Sequence, residues 1–279
     1  MSIDLHCHTR FSDGSTPMPE LLALASLRGV TTLAVTDHDT MAGCDAAVAL
    51  GQSLGVTVIP GVEISAADPE RRGKAHILCY APRFPERLEP LLQKTTDSRH
   101  AAMLESIEKV VRLYPVTREM ILSRAEGSTN IYKQHVIQAL MDAGYADEMF
   151  GEVFRRLYDS KTGLAYVRVQ YPTVQEVLTA IREAEGLAVL AHPSEYHNMV
   201  LLEELCKAHL LDGVEVNHPR NREEDQIAMR ELAKRYHLAE TGGTDFHGFY
   251  TTKKNPVGAY TTAPAEFDRL FAGRKENVS

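Results

Sequence analysis

Seven short apolar runs punctuate the chain: SIDLHCH, VTTLAVTDHD, VTVIPGVEIS, KAHILCYA, LAVLAHP, LDGVEVNHP and AETGGTDFH. Between several of them lie segments of helical character that stop at glycine, MPELLALASLRG and TVQEVLTAIREAEG among them, as helix C-termini commonly do. Strand, helix and strand in repetition predict a parallel sheet joined by right-handed crossovers. Runs such as LAVL and TLAV are apolar without alternation, the pattern of strands covered on both faces. A barrel and a doubly wound sheet both satisfy it, and a chain of 279 residues is long enough for a single α/β barrel.

One block breaks the alternation. From Leu88 to Tyr158 the chain reads as several helices, including HAAMLESIEKVVRLY and IYKQHVIQALMDAG. So long a helical stretch exceeds what one crossover needs. Residues 88–158 are therefore expected to form an inserted helical subdomain over one end of the sheet, with 1–87 and 159–279 making the main α/β unit. The tail after Arg274 is expected to fray.

Composition bounds the partners. The formal charge of −8 argues against a broad surface tracking duplex DNA, yet leaves room for a small anion in a local positive pocket. No apolar stretch approaches the roughly 18 residues of a membrane helix. The first twenty residues, broken by Asp4, Arg10 and Asp13, lack a secretory core. Cys7, Cys44, Cys79 and Cys206 are scattered without a CxxC pair, which suits reduced thiols in a cytoplasmic protein.

The histidines carry the chemistry. His6 and His8 stand one residue apart in IDLHCHTRFSDGS, with Asp13 five residues on. On a strand, residues i and i+2 point the same way, so these two imidazoles share a face and Cys7 faces the other as packing. His38 follows TTLAVT, Glu63 ends VTVIPGVE, His76 sits early in KAHILCY, His192 ends LAVLAHP, and Asp245 and His247 end ETGGTDFH. The same rule pairs Asp245 with His247 if that strand runs far enough. Singly, each has an ordinary reading: a hydrogen-bonded core histidine at His76, an Asx turn at Asp13. Together, six imidazoles and three carboxylates at strand ends would be costly to bury with nothing to bind. Most stand at C-terminal strand ends, where parallel α/β folds gather catalytic groups. His100, His209 and His237 lie in polar helical stretches and take no role.

These residues, in this order, resemble the PHP family of metal-dependent phosphoesterases, relatives of the amidohydrolases. HCH matches the first motif, TDHD the second, GVEIS with KAHIL the third, and AHP with GTDFH the last. The likeness covers nearly the whole chain. It is nearest to stand-alone members acting on nucleotides, among them 3′,5′-nucleoside bisphosphate phosphatases and short-RNA exonucleases. The resemblance implies a distorted (β/α)7 barrel with metals at the C-terminal mouth. It implies that His6, His8, Glu63 and Asp245 hold one metal, that Glu63 bridges to a second held with His76 and His192, and that Asp13, His38 and His247 hold a third. Glu63, Asp245 and His192 are the residues expected to serve catalysis.

Nine donors at about three per ion suggest three divalent ions, or two with shared ligands. Imidazole and carboxylate without thiolate suit manganese, zinc or iron, manganese being our choice. Such ions lower the pKa of bound water to about 7, giving a nucleophile for a phosphoryl group. No GxSxG elbow and no glycine-rich P-loop suggests another route.

Substrate selection points to the insertion. In STNIYKQHVIQALMDAG, Asn130 is a candidate N-cap that places Lys133 and His135 in or near the first turn. Cations there oppose the helix dipole unless an anion docks beside them. Related sequences often carry Arg-Pro-His here, and KQH replaces the arginine with lysine, which loses bidentate grip. Arg168 is a second phosphate candidate; Ser194, His197 and His218 are placed to line the mouth, and Tyr132 or Tyr166 to stack on a base. The expected reaction is removal of the 3′-phosphate from a nucleoside 3′,5′-bisphosphate such as adenosine 3′,5′-bisphosphate. The alternatives are a 5′-3′ exonuclease on short RNA, a histidinol-phosphate phosphatase, and a metal-binding module without catalysis.

Overall fold

The computed structural model describes residues 1–71, 73–252 and 255–273; the tail after Arg274 lies outside the described residues. The seven apolar runs become seven strands: β1 (Ile3–Cys7), β2 (Thr32–Val35), β3 (Thr57–Asp68), β4 (Gly73–Tyr80), β5 (Leu187–Leu190), β6 (Gly213–Asn217) and β7 (Ala239–Gly242). They form one sheet in chain order. The segment after β7 returns to β1, where Asp245 N–H donates to His6 O at 2.8 Å and His8 N–H to Phe246 O at 2.9 Å. The sheet is thus a nearly closed barrel.

The all-parallel expectation needs correction at one strand. β4 runs antiparallel to both neighbours, with Ser65 opposite His76 on one side and Ile77 opposite Leu190 on the other. The other four pairs are parallel. A short connection from Asp68 to Gly73 makes the reversal possible, since antiparallel neighbours need no crossover helix. Reversal also brings the early residues of β4 to the end of the barrel where the other strands finish.

Ten helices are found among the described residues. On the outside of the sheet lie α1 (Met18–Leu27), α2 (Cys44–Leu54), α7 (Val174–Glu183), α8 (Met199–Lys207) and α9 (Glu223–Tyr236). Between β4 and β5 come α3 (Glu89–Leu113), α4 (Arg118–Leu122), α5 (Lys133–Asp142) and α6 (Glu152–Tyr158), and α10 (Pro264–Leu270) closes the list. The helix α7 starts with a reciprocal box in which Glu176 N–H donates to Thr173 Oγ1 and Thr173 N–H donates to Glu176 Oε2.

Leu5, Ala34, Ile59, Leu78, Val189 and Ala239 come from six strands and share one apolar cluster with Leu270 and Phe271. Side chains from so many strands meet only inside a closed sheet. Helices α7 to α9 pack on β3 to β6 in a second cluster, and α1 and α2 on β1 to β3 in another. Helices α3 to α6 share their own cluster around Ile107, Val110, Ile137 and Leu140. No helix among the described residues is long and apolar enough to cross a membrane.

Candidate metal centre

The barrel end where the parallel strands finish is lined with imidazoles and carboxylates. His6 Nε2 lies 3.1 Å from His8 Nε2, 3.3 Å from Glu63 Oε2 and 3.6 Å from Asp245 Oδ1. His8 Nε2 lies 3.3 Å from Glu63 Oε2 and 3.2 Å from Asp245 Oδ1. Donors about 2.0–2.1 Å from an ion in a tetrahedron stand about 3.3 Å apart. These four donors have that spacing, and their chemistry, hard oxygen with imidazole nitrogen, fits a divalent ion.

Glu63 is the hub. Its Oε1 lies 2.8 Å from both His76 Nδ1 and His192 Nε2, and its Oε2 lies 3.1 Å from His38 Nδ1. Asp13 gathers a further set: His247 Nε2 at 3.3 Å, His8 Nδ1 at 3.8 Å and His38 Nε2 at 3.9 Å. The nine side chains singled out from strand ends thus converge. The geometry differs from the expected allotment in three respects: His8 joins the Asp13 set, His38 faces both Asp13 and the Glu63–His76 pair, and His192 groups with His6 and Glu215.

Electrostatics match this crowding. Burial pulls the His8 imidazole down, but Asp245 and Glu63 outweigh it and carry it up to about 10. Burial likewise opposes charge on His192, yet Glu63 and Glu195 lift it to about 9. At His38 burial wins over Glu63 and Asp13, and the ring falls to about 3. The carboxyls of Asp13, Glu63 and Asp245 are held well below the usual range despite burial, by the surrounding imidazoles. Nδ1 of His8 and His192 are buried with no hydrogen-bond partner, and Nδ1 of His38 meets Glu63 Oε2 at 3.1 Å without hydrogen-bond geometry. Unpartnered buried nitrogens are rare, and a ligated ion would satisfy such atoms.

Local backbone places these groups. β7 ends at Gly242, so Asp245 and His247 are not an i, i+2 strand pair; they sit on the loop beyond, with Asp245 at φ +52°. His192, just past β5, has φ +25°. Both are strained positions for residues with a Cβ. Gly243 is needed for close approach, because a Cβ there would stand 2.2 Å from His6 Cβ.

A second layer of buried carboxylates holds the loops, and sequence reasoning missed it. Asp37 accepts from Thr9 N–H and Oγ1–H and from Ser12 Oγ–H at 2.6–2.8 Å, tying down the loop that carries Asp13. Asp4 accepts from Thr244 N–H at 2.9 Å and Gly258 N–H at 2.8 Å beside Asp245. Glu215 accepts from His6 Nδ1–H. The signal was present: Glu215 in GVEVN repeats the pattern of Glu63 in GVEIS, an acid inside an apolar run.

A cavity of about 190 Å³ opens beside the centre, sharing Asp13, His38 and His76 with it. Its far wall carries Lys74, Arg99 and Lys133 with Tyr132, Tyr166 and Tyr171. Lys133 stands 5.2 Å from the Tyr158 ring and 5.3 Å from Tyr166. Burial, with Lys74 and Arg99 adding, lowers its amine to about 8. Arg99 donates to Asp39 and, at 3.2 Å, to Ser65 Oγ, its guanidinium 4.8 Å from the Tyr132 ring. Gln134 Nε2–H donates to Asp13 Oδ2 at 2.7 Å, joining α5 to the ligand loop. A smaller space of about 170 Å³ continues past Glu63, His192 and Asp245 to Arg220, whose fork is held by Glu195 at 2.6 Å.

The structure corrects the N-cap and places several substrate candidates away from the two cavities. The N-cap of α5 is Tyr132; Asn130 instead donates from Nδ2 to Thr96 O at 2.7 Å. His135 is buried in α5, its Nδ1 accepts from Tyr132 N–H at 3.1 Å, and burial lowers it to about 4. A neutral ring engaged in capping is no phosphate cation. Arg168 is exposed and lines neither cavity, the adjacent Val167 and Val169 facing the larger one instead. Ser194 donates to Asp225 Oδ2 at 2.7 Å, and it and exposed His197 lie outside both cavities. His218 belongs to the buried centre: its Nδ1 accepts from Arg220 N–H at 3.2 Å, leaving Nε2 3.5 Å from Asp245 Oδ2. Lys74 and Arg99, which no local spacing links to the motifs, line the larger cavity with Lys133, where His135 and Arg168 were expected.

Comparison with known proteins agrees with this geometry. The chain is 38% identical over 88% of its length, and 94% of the relative, to a phosphoribosyl 1,2-cyclic phosphate 1,2-diphosphodiesterase of Eggerthella lenta. It is 32% identical to the 5′-3′ exoribonuclease Rnm of Escherichia coli (88% and 84% covered) and 29% identical to a 3′,5′-nucleoside bisphosphate phosphatase of Chromobacterium violaceum (88% and 87% covered). A solved Bifidobacterium adolescentis structure superposes with a TM-score of 0.87 at 28% identity, covering 97% of this chain and 95% of that one. The family model described as PHP domain matches residues 4–190, and the chain belongs to that family as a metal-dependent phosphoesterase.

Proposed function

We propose that this phosphoesterase acts on a small molecule with two phosphates, one at the metal centre and one in the adjacent cationic cavity. A nucleoside 3′,5′-bisphosphate losing its 3′-phosphate is the leading substrate. The carrying observation is the cavity that shares Asp13, His38 and His76 with the centre and is walled by Lys74, Arg99 and Lys133. Lys74 and Lys133, with Arg99 beside them already paired to Asp39 and the Lys133 amine lowered to about 8, gain from an incoming dianion. Its size suits a compact phosphate and sugar better than an oligonucleotide.

His6, His8, Glu63 and Asp245 would hold one divalent ion. Glu63 with His76 and His192 would hold a second, and Asp13, His38 and His247 a third, manganese being our choice. Bound ions supply Lewis-acid stabilisation of phosphoryl oxygens and an ionised water at neutral pH. The chain's own groups do the positioning. Asp245 turns Oδ1 to His8 and Oδ2 to His218, at 3.2 and 3.5 Å. Arg220, with Glu195 on one arm, brings a fixed cation within 3.9 Å of Asp245 at the mouth, placed to meet a phosphoryl oxygen. Residues 88–158 act as the subdomain that covers the substrate, since Lys133 and Gln134 on α5 reach the cavity from that side. The metal-binding module without catalysis is disfavoured because all nine donor positions are filled.

A second reading is favoured by the 38% identical relative, which is named for a cyclic phosphodiester of a phosphorylated ribose. The same cavity would then hold the ribose 5-phosphate. Chromatographic product analysis separates the readings: inorganic phosphate from adenosine 3′,5′-bisphosphate or histidinol phosphate, a ring-opened ribose bisphosphate from 5-phosphoribosyl 1,2-cyclic phosphate, and nucleoside 5′-monophosphates from a short 5′-phosphorylated RNA. Preference for the bisphosphate supports the first, and preference for the cyclic ester supports the second. Preference for RNA or histidinol phosphate would discard the two-phosphate account.

A further inference from the structure

We infer that Glu215 is a positioning residue that sets the protonation pattern of His6 and the backbone of His192, and so aims two ligands from different strands at the centre. This rests on the reading that the centre holds divalent ions.

Glu215 lies in the middle of β6 and is fully buried. A buried carboxylate survives only with strong partners, and Glu215 has two of different kind. Its Oε1 lies 2.9 Å from His6 Nδ1, and its Oε2 accepts from His192 N–H at 2.9 Å. His6 Nδ1 is the ring nitrogen turned away from the converging donors; Nε2 faces His8, Glu63 and Asp245. A carboxylate accepts only, so Nδ1 must carry a proton, and Nε2 is left with its lone pair toward the ion. This is the arrangement in which an outer carboxylate orients a ligating imidazole and raises its basicity.

The second contact acts on backbone. His192 sits at φ +25° just past β5, a conformation that persists only when surrounding contacts fix it. The hydrogen bond from its N–H to Glu215 Oε2 supplies one such contact, while its ring reaches Glu63 Oε1 at 2.8 Å. One side chain on β6 thereby coordinates ligands carried by β1 and by the β5 end.

The substitution Glu215→Gln tests this with nearly unchanged shape. An amide has one accepting oxygen and one donating nitrogen. With its NH2 toward His192, two donors face each other. With its NH2 toward His6, Nδ1 must accept and the proton moves to Nε2, which can no longer ligate. Either way a ligand is lost from position.

Zinc serves as a diamagnetic probe for the wild type and the variant. Affinity is measured by chelator competition, and the ring-nitrogen protonation of His6 by nitrogen-15 NMR of the loaded protein. The expected result is His6 protonated on Nδ1 in zinc-loaded wild type, and zinc binding about 10–100-fold weaker in E215Q with unchanged circular dichroism. Equal zinc affinity with unchanged His6 signals would overturn the inference. So would a wild-type His6 with its proton on Nε2, a measurement that decides the matter even if the variant fails to fold. Wild type binding no zinc would instead overturn the metal reading beneath it.

Discussion

Lys133 makes the two-phosphate account quantitative. Its amine sits half-buried among Tyr158, Tyr166, Lys74 and Arg99, and is lowered to about 8 by burial first and by those cations next. The charged form dominates below that value. About nine-tenths of the amines carry a proton at pH 7 and about one-tenth at pH 9. A substrate phosphate has its second pKa near 6, so its charge is settled before this window opens. If the protonated amine holds the second phosphate, kcat/KM for the bisphosphate falls roughly tenfold between pH 7 and pH 9 through this group. Lys133→Met removes a charged hydrogen bond of about 1.5–3 kcal/mol. That corresponds to about 10–150-fold in kcat/KM at pH 7, with a much smaller effect on a matched monophosphate. Lys133→Arg stays charged throughout and should flatten the alkaline limb. Initial-rate phosphate release from both substrates across pH 6.5–9.5, with metal saturation verified at each pH, provides the test. An alkaline limb that survives in Lys133→Met, or equal losses on both substrates, would refute the reasoning.

Other perturbations probe separate links. Gly243→Ala would drive a methyl into His6, 2.2 Å from its Cβ, so turnover should fall more than about 100-fold while circular dichroism stays unchanged; wild-type turnover would contradict the close approach. Replacing His8 and Asp245 together by alanine should abolish turnover while leaving the fold, and full activity in that variant would return the histidine pair to packing. Ile107→Ala, in the α3–α6 cluster and fully buried, should cost about 2–5 kcal/mol in urea unfolding, and a change under about 0.5 kcal/mol would contradict the packing. All four cysteines are buried and none is in a disulfide, so a thiol reagent should label the native protein far more slowly than the denatured one; equal rates would contradict that burial.

Much of this was legible in the chain, for definable reasons. The seven strands announce themselves because strands covered on both faces must be apolar. Charged groups at their ends stand out against that background, and the structure gathers all nine of them. The direction of β4 left no mark in its composition. Its one clue was His76, which sits early in its strand and reaches the common mouth only if that strand is reversed. Lys74 and Arg99 were invisible because one begins a strand and the other lies mid-helix, and only tertiary packing joins them to Lys133. His135 was misread because local sequence does not distinguish a ring that caps a helix from one that awaits an anion. Arg168 was placed without regard to alternation: Val167 and Val169 face the cavity, and Arg168 between them does not.

The most direct test couples metal content to turnover. Protein stripped by chelator is titrated with manganese while bound metal and phosphate release from adenosine 3′,5′-bisphosphate are followed together. The account predicts no turnover in the stripped protein and activity that rises with two to three ions bound per chain, lost again in the His8 and Asp245 double variant. Undiminished turnover by metal-free protein, or ions bound equally well by that variant, would contradict it.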